Sequence, residues 1–282
     1  SKAKSLNVET LALTDINNSS GMIDFVKECN KNGLKPIGGM EFRDGDRLLF
    51  TALAHNNQGF EEINRFMSSI NLGDLELNES APLFKNSYVI YPFGGFIPSR
   101  FKDNEFIGVK PSQSLKLHSV EKRLINRMIV SQPVSFDDDK TYYLHKNLRS
   151  IDHNILLSHL KQGMYAAADE HFIDGNYAVD AFRGYKRIND NTSHLLNNCE
   201  INFDFKSYKN KETFTGNRFD DRMLLKKLSL DGLKYRYGMK NNNAMQRVES
   251  ELEIIDKLGF SSYFLITWDI IRYSMSRGFY HV

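Results

Sequence analysis

RVESELEIIDKLGFSSYFLITWDIIRYSMSRGFYHV (Arg247–Val282) is the stretch from which the rest of the chain can be read. Apolar residues at Val248, Leu252, Ile255 and Leu258 fall at the 3–4 spacing of one helical face. Gly259 follows as a helix-terminating residue. A second apolar helix is expected over Tyr263–Met275, closed by Gly278. The last four residues, Phe279–Val282, read as a strand without a turn, a polar cap or a later strand to pair with. An uncovered apolar strand at a terminus is costly. The pattern therefore predicts two consecutive apolar helices in a piece cut from a longer protein, rather than a domain ending on a docked strand.

Upstream, 282 residues suffice for two units at roughly 100–200 residues per domain. The 41% hydrophobic and 26% charged composition is that of a folded globular protein and argues against disorder. No stretch reaches the ~20 apolar residues of a membrane span, and no signal peptide opens the chain. Cys29 and Cys199 lack any CxxC partner, and Cys29 falls on an apolar helical face as a reduced core residue. The expected compartment is the cytoplasm, with no membrane partner. Net charge is +2, but residues 206–282 hold 14 Lys and Arg against 9 Asp and Glu, while residues 1–205 hold 23 against 26. A basic second part suits a nucleic-acid neighbour, although a solvated face would look the same.

The first two-thirds alternate strand-like and helix-like segments. Strands are expected at Glu9–Thr14, Lys35–Phe42, Arg47–Ala54, Tyr88–Pro92, Phe106–Val109 and Met128–Val130. Helices are expected around Met22–Cys29, Phe60–Ile70 and Val120–Asn126, with the longest at Thr141–Leu160. Such alternation argues for an α/β fold with a mainly parallel sheet. Closed into a barrel, the sheet would carry its site at the C-terminal strand ends. Asn71–Lys85 and Asp137–Lys140 read as loops, and Asn241–Asn243 as a short loop in the second part. The polar stretch Asn202–Asn217 marks the boundary between a first unit, 1–205, and a second, 206–282.

The Arg247–Val282 segment resembles the start of the polymerase core in bacterial C-family DNA polymerases, the DNA polymerase III α subunits. The matching features are Glu249, Glu251 and Glu253, the turn Gly259-Phe260, the run Tyr263-Phe264-Leu265-Ile266, Asp269 and Arg277-Gly278. The basic run Phe219–Gly238 is similar to the helix leading into that motif. In the family a Gly-Arg-Gly-Ser loop follows, which handles nucleotide phosphates. The resemblance implies a parent enzyme that extends a primer on a DNA template with deoxynucleoside triphosphates (dNTPs) and Mg²⁺. The family's catalytic aspartates lie further downstream, so the resemblance puts no catalytic residue in this chain and makes the piece itself inactive.

The first part resembles the PHP (polymerase and histidinol phosphatase) domain that precedes that core, which implies a distorted (β/α)7 barrel followed by helices from the start of the palm and thumb region. Intact PHP domains hold several divalent metals on His, Asp, Glu and Cys side chains, because close-packed metals need many N and O ligands. Residue by residue the set is depleted here. A Thr-Asp-His turn becomes Thr14-Asp15-Ile16, keeping only the Asp. A Gly-x-Glu strand end is Gly39-Met40-Glu41. A His expected at the next strand falls near Leu49, and an Asp-x-His pair falls at Pro133 and Ser135. The opening His-x-His strand is expected before Ser1. Ile, Leu and Pro side chains cannot ligate a metal, so Asp15 and Glu41 are vestigial and no bound metal is expected at this site. The resemblance then implies a structural scaffold, with a proofreading exonuclease and a sliding clamp as partners of the parent. The alternative is a metal-dependent phosphoesterase or 3′–5′ exonuclease with rearranged ligands.

Other motifs point to ordinary structure. His55, His118, His145, His153 and His159 lack the i, i+4 spacing of a helical zinc site, and His281 sits in the expected terminal strand. Asp137-Asp138-Asp139 has no calcium-loop spacing and reads as a solvated acidic turn. Gly38-Gly39 and Gly94-Gly95 are not phosphate loops. Tyr142-Tyr143 and Tyr263-Phe264 read as core or interface aromatics.

Overall fold

In the computed structural model, which describes residues 2–207, 210, 212–238 and 241–280, the chain forms two units, Ser1–Asp204 and Phe205–Val282. The first holds strands β1 (Thr10–Leu13), β2 (Lys35–Asp44), β3 (Arg47–Ala54), β4 (Ser87–Pro92), β5 (Glu105–Val109) and β6 (Met128–Val130). Its helices are α1 (Lys2–Ser5), α2 (Met22–Asn32), α3 (Asn57–Asn71), α4 (Lys122–Ile125), α5 (Asp139–Asp152), α6 (Gly175–Asp180) and α7 (Lys186–Asn198). The second unit holds α8 (Arg218–Tyr237), α9 (Asn242–Lys257) and α10 (Ser261–Ser276).

Among the described residues the six strands form one sheet in sequence order, curled into part of a barrel. It is mixed rather than mainly parallel. β1 and β2 pair in parallel, as do β4, β5 and β6, but β3 is antiparallel to both its neighbours. The reason lies in the turn: Asp44 pairs with Arg47 across Gly45-Asp46, and only antiparallel strands can be joined so tightly. Gly45 takes the positive φ (58°) that the turn requires.

Period-2 alternation gives the sheet two apolar faces. Phe42, Phe50, Ala52, Val89 and Tyr91 pack with Ile63 and Met67 of α3. Ile37, Leu53, Tyr88, Ile90, Phe106 and Ile129 pack with Leu195 of α7 and with Cys199. Asn56 caps α3 by accepting from the Gly59 N–H at 3.0 Å. A Cβ at Gly59 would stand 1.8 Å from the Asn86 carbonyl oxygen, so only glycine lets α3 approach the start of β4.

Three local expectations need correction. The helix expected over Thr141–Leu160 stops at Asp152, because Asn154 turns left-handed (φ 52°) and a short 3₁₀ turn, Leu157–His159, follows. The longest helix is instead α8, with 20 residues. Asn241–Asn243 is not a loop: Asn241 caps α9, accepting from the Ala244 N–H at 3.0 Å, and Asn242 already opens the helix. Of the strand expected at Phe279–Val282, Phe279 and Tyr280 are irregular, and His281 and Val282 lie outside the described residues.

In the second unit α8 packs against both α9 and α10. Arg222 ties α8 to Asp256 of α9 at 3.1 Å. The Asp221 carboxylate, 1% exposed, accepts from the N–H groups of Phe214 (2.8 Å) and Thr215 (2.7 Å), fastening the incoming chain to α8. The glycines that close the helices, Gly238, Gly259 and Gly278, all have positive φ.

Candidate functional site

Pairing directions place the C-terminal ends of β1, β2, β4, β5 and β6 on one rim, together with the β2–β3 turn. In a curled α/β sheet this is the rim where side chains from several strands converge on a ligand. Asp15 and Glu41 meet there through the backbone. The Glu41 N–H donates to the Asp15 carbonyl at 3.1 Å, the Asn17 N–H donates to the Glu41 carbonyl at 2.9 Å, and Ile16 bridges Glu41.

Their side chains are already engaged. Asp15 Oδ2 accepts the Gly21 N–H at 3.3 Å, at the start of α2. Glu41 Oε2 accepts from Arg43 Nε (2.9 Å) and Nη2 (2.6 Å), an ion pair between residues two apart on one strand face. Asn17 fixes Arg43 in turn, accepting from its N–H and donating to its carbonyl, both at 2.9 Å.

Three further carboxylates on the rim, Asp46, Asp169 and Glu170, are paired in the same manner. Asp46 faces Arg149 Nη2 of α5 at 2.5 Å and His153 Nε2 at 3.3 Å. Lys110, directly after β5, reaches Asp169 (2.6 Å) and Glu170 (3.5 Å). Ser112 donates to Asp169 at 2.5 Å, Ser135 donates to Glu170 at 3.3 Å, and Gln132 donates to the carbonyls of Asp169 (2.7 Å) and His171 (3.0 Å). Burial alone would raise the Asp169 pKa, but hydrogen bonds from Lys110 and Ser112 hold it below the ordinary carboxylate range.

The other positions that would carry ligands do not turn toward a metal. Leu49 is 3% exposed in the core beside Phe42 and Phe50, and Ile16 is 46% exposed. Ser135, after the proline at 133, is tied by its N–H to the Glu170 carbonyl at 2.9 Å. Among the described residues no three His, Cys, Asp or Glu side chains cluster as a metal set. Arg43, Arg149 and Lys110 occupy carboxylate oxygens that close-packed metals would need, and the histidine positions carry Ile, Leu and Ser, so this donor set does not fit a multinuclear cluster.

The histidines have individual roles. His145 Nε2 accepts the Ala166 N–H at 2.9 Å; burial and then Arg149 push its pKa down, against Glu170. His55 packs edge-on against Tyr88 (4.0 Å), and its buried Nε2 has no hydrogen-bond partner among the described residues; burial lowers its pKa as well. His118 and His159 are exposed, and His281 lies outside the described residues. Asp138 does more than the solvated acidic turn predicts: it caps α5, and the N–H and hydroxyl of Thr141 hold its carboxyl below the usual range. Of the aromatics expected as core or interface, Tyr143 (64% exposed) and Phe264 (half exposed) lie outside the core, which leaves the interface alternative for them.

Residues 1–91 match the family model described as PHP domain, and residues 223–281 match that described as Bacterial DNA polymerase III alpha NTPase domain. The DNA polymerase III subunit alpha of Halalkalibacterium halodurans is 26% identical over 97% of this chain and 27% of that protein. The corresponding subunit of Streptococcus pyogenes serotype M1 is 25% identical over 99% of this chain and 26% of that protein. The chain is similar to bacterial DNA polymerase III α subunits. An error-prone DNA polymerase of Symbiobacterium thermophilum is also similar, at 23% identity over 95% of this chain and 29% of that protein. The chain thus spans about a quarter of the length of the relatives it matches.

Lys110, Asp169 and Glu170 escape a reading based on the family's ligand positions. A lysine directly after the apolar strand EFIGV, and the Asp-Glu-His run at 169–171, were the available signals.

Proposed function

We propose that this chain is the N-terminal portion of a DNA polymerase III α-type subunit, in which the first unit is a scaffold and the second leads into the polymerase core. The parent performs template-directed DNA synthesis on a primer with dNTPs, using Mg²⁺ held by carboxylates beyond this chain. A proofreading exonuclease and a sliding clamp are its partners, and the cytoplasm its compartment. What carries the reading is similarity along nearly the whole chain, with the two family models in the order 1–91 and 223–281. The scaffold role is supported by the rim, where Glu41, Asp46, Asp169 and Glu170 have protein cations in hand. In the second unit α9 buries no residue, and α10 buries only Ser261, Ser262 and Leu265, leaving apolar side chains for a larger body to cover. Among the described residues no helix is long and apolar enough to cross a membrane.

The test is primer extension by the product of the whole gene. Extension of a primed template with Mg²⁺ and four dNTPs is expected, and this chain alone should neither extend the primer nor release nucleotides from its 3′ end. No extension by the whole product would overturn the polymerase reading. Nucleotide release by this chain with Mn²⁺, abolished by Asp15→Ala with Glu41→Ala, would replace the scaffold by a metal-dependent phosphoesterase or 3′–5′ exonuclease.

A further inference from the structure

Among the described residues of the second unit some cations are ion-paired and others, including three lysines of α8, are not. Arg222 pairs with Asp256 (3.1 Å), Arg247 with Glu251 (2.5 Å) and Arg272 with Asp269 (2.6 Å). Lys226, Lys227 and Lys234 are exposed, and among the described residues no ion pair engages them. The 3–4 spacing of Phe219, Met223, Lys226, Lys227, Leu230, Lys234 and Tyr237 puts them on one face. The opposite face carries the buried Asp221 and Leu225, and the buried Leu233 borders the stripe. Phe219, Met223 and Tyr237 on the outer face are each at least half exposed. From Phe219 to Tyr237 the stripe runs about 27 Å, at 1.5 Å per residue.

Uncompensated lysines interleaved with exposed apolar and aromatic groups form a surface complementary to a polyanion with an apolar component. The lysines displace counterions from phosphates, and the aromatic rings offer stacking or sugar contact. We propose that the outer face of α8 is a nucleic-acid contact that tracks the phosphate backbone without reading sequence. This deepens the polymerase reading and rests on it, since that reading selects DNA over an anionic membrane or an acidic protein segment. No bidentate base reader such as Arg, Asn or Gln lies on the stripe, so its contribution is uniform across sequences.

The test is fluorescence anisotropy of the full chain with a short fluorescein-labelled DNA duplex of random sequence, titrated at several salt concentrations. The triple variant K226E/K227E/K234E is compared with K85E/K116E/K122E, which makes the same charge change on the first unit. The α8 variant is expected to weaken binding by about tenfold or more and to reduce the salt slope by roughly 2–3, about one for each phosphate no longer neutralised. The control variant should stay near wild type, and the milder K226Q/K227Q/K234Q should fall between. Circular dichroism establishes that each variant is folded. Equal affinity and slope for the α8 variant and wild type would overturn the proposal. So would absence of DNA binding by the wild type, or binding to phosphatidylserine vesicles or polyglutamate in place of DNA. The polymerase reading stands or falls separately, on primer extension by the whole gene product.

Discussion

On the rim of the sheet, Arg43, Arg149 and Lys110 each lie against a carboxylate, whereas along α8 Lys226, Lys227 and Lys234 are exposed and have no ion pair among the described residues. Apolar groups divide similarly. Phe42, Phe50 and Tyr91 are fully enclosed in the first unit, but in the second Ile270, Tyr273 and Met275 are each at least 60% exposed. The first unit carries most of the buried apolar side chains, whereas among the described residues of the second only Leu225, Leu233 and Leu265 are buried apolar residues. The second leaves lysines and large apolar side chains exposed, which is the surface the proposed place in a larger protein requires.

The largest expected effect lies in the first unit. Glu105, 1% exposed, accepts from the Lys102 N–H (2.8 Å) and the Tyr91 hydroxyl (3.3 Å) and pairs with Lys102 Nζ (3.0 Å). Glu105→Ala leaves those donors without their acceptor and should cost about 3–5 kcal/mol in denaturant unfolding followed by circular dichroism. In the second unit the contrast lies between inward and outward residues. Leu265, fully buried, should cost about 2–5 kcal/mol when changed to Ala. Ile270→Lys, at an exposed position of the same helix, should stay within about 0.5 kcal/mol and improve solubility. Fluorescence of Trp268, the only tryptophan, reads both changes.

A smaller effect is expected at the rim. Lys110→Met should cost about 1–3 kcal/mol, because Asp169 and Glu170 lose their shared cation. It should also change the acid limb. The folded-state pKa of Asp169 is depressed, so its stabilisation is present above the ordinary carboxylate pKa and is lost as pH falls through the lower folded value. The variant should therefore lose less stability than wild type on acidification below about pH 4. The smallest effect is expected from His145, whose folded pKa is also depressed. The unfolded chain binds the extra proton first, so stability is full above about pH 6.5 and declines as pH falls below it. His145→Gln, which can still accept the Ala166 N–H through its amide oxygen, should flatten that decline in thermal melts between pH 7 and 5.

Much of this architecture was legible in the sequence because periodicity records burial. β3 and β6 span the residues that their apolar runs predict, and Met22, Val26 and Cys29 line the buried face of α2 as their spacing requires. The orientation of β3 was less legible, since it depends on a tight turn rather than on strand composition. The end of α5 was hidden too: apolar residues continue past Asp152, and only the left-handed Asn154 breaks the helix. At the site, Asp15 and Glu41 could be located by local pattern. Their partners could not, because Arg43 against Glu41 depends on strand geometry, and Lys110 against Asp169 on a contact 59 residues apart. Long-range charge pairing leaves no periodic trace.

The central claim is that in-chain cations have taken the place a metal cluster would need on this rim. Isothermal titration of the full chain with Mn²⁺ and with Zn²⁺, paired with melting curves in each metal, tests it most directly. The account predicts no stoichiometric uptake and no rise in Tm. Saturable binding of one or more ions per chain, raising Tm and lost on Asp15→Ala with Glu41→Ala, would contradict it.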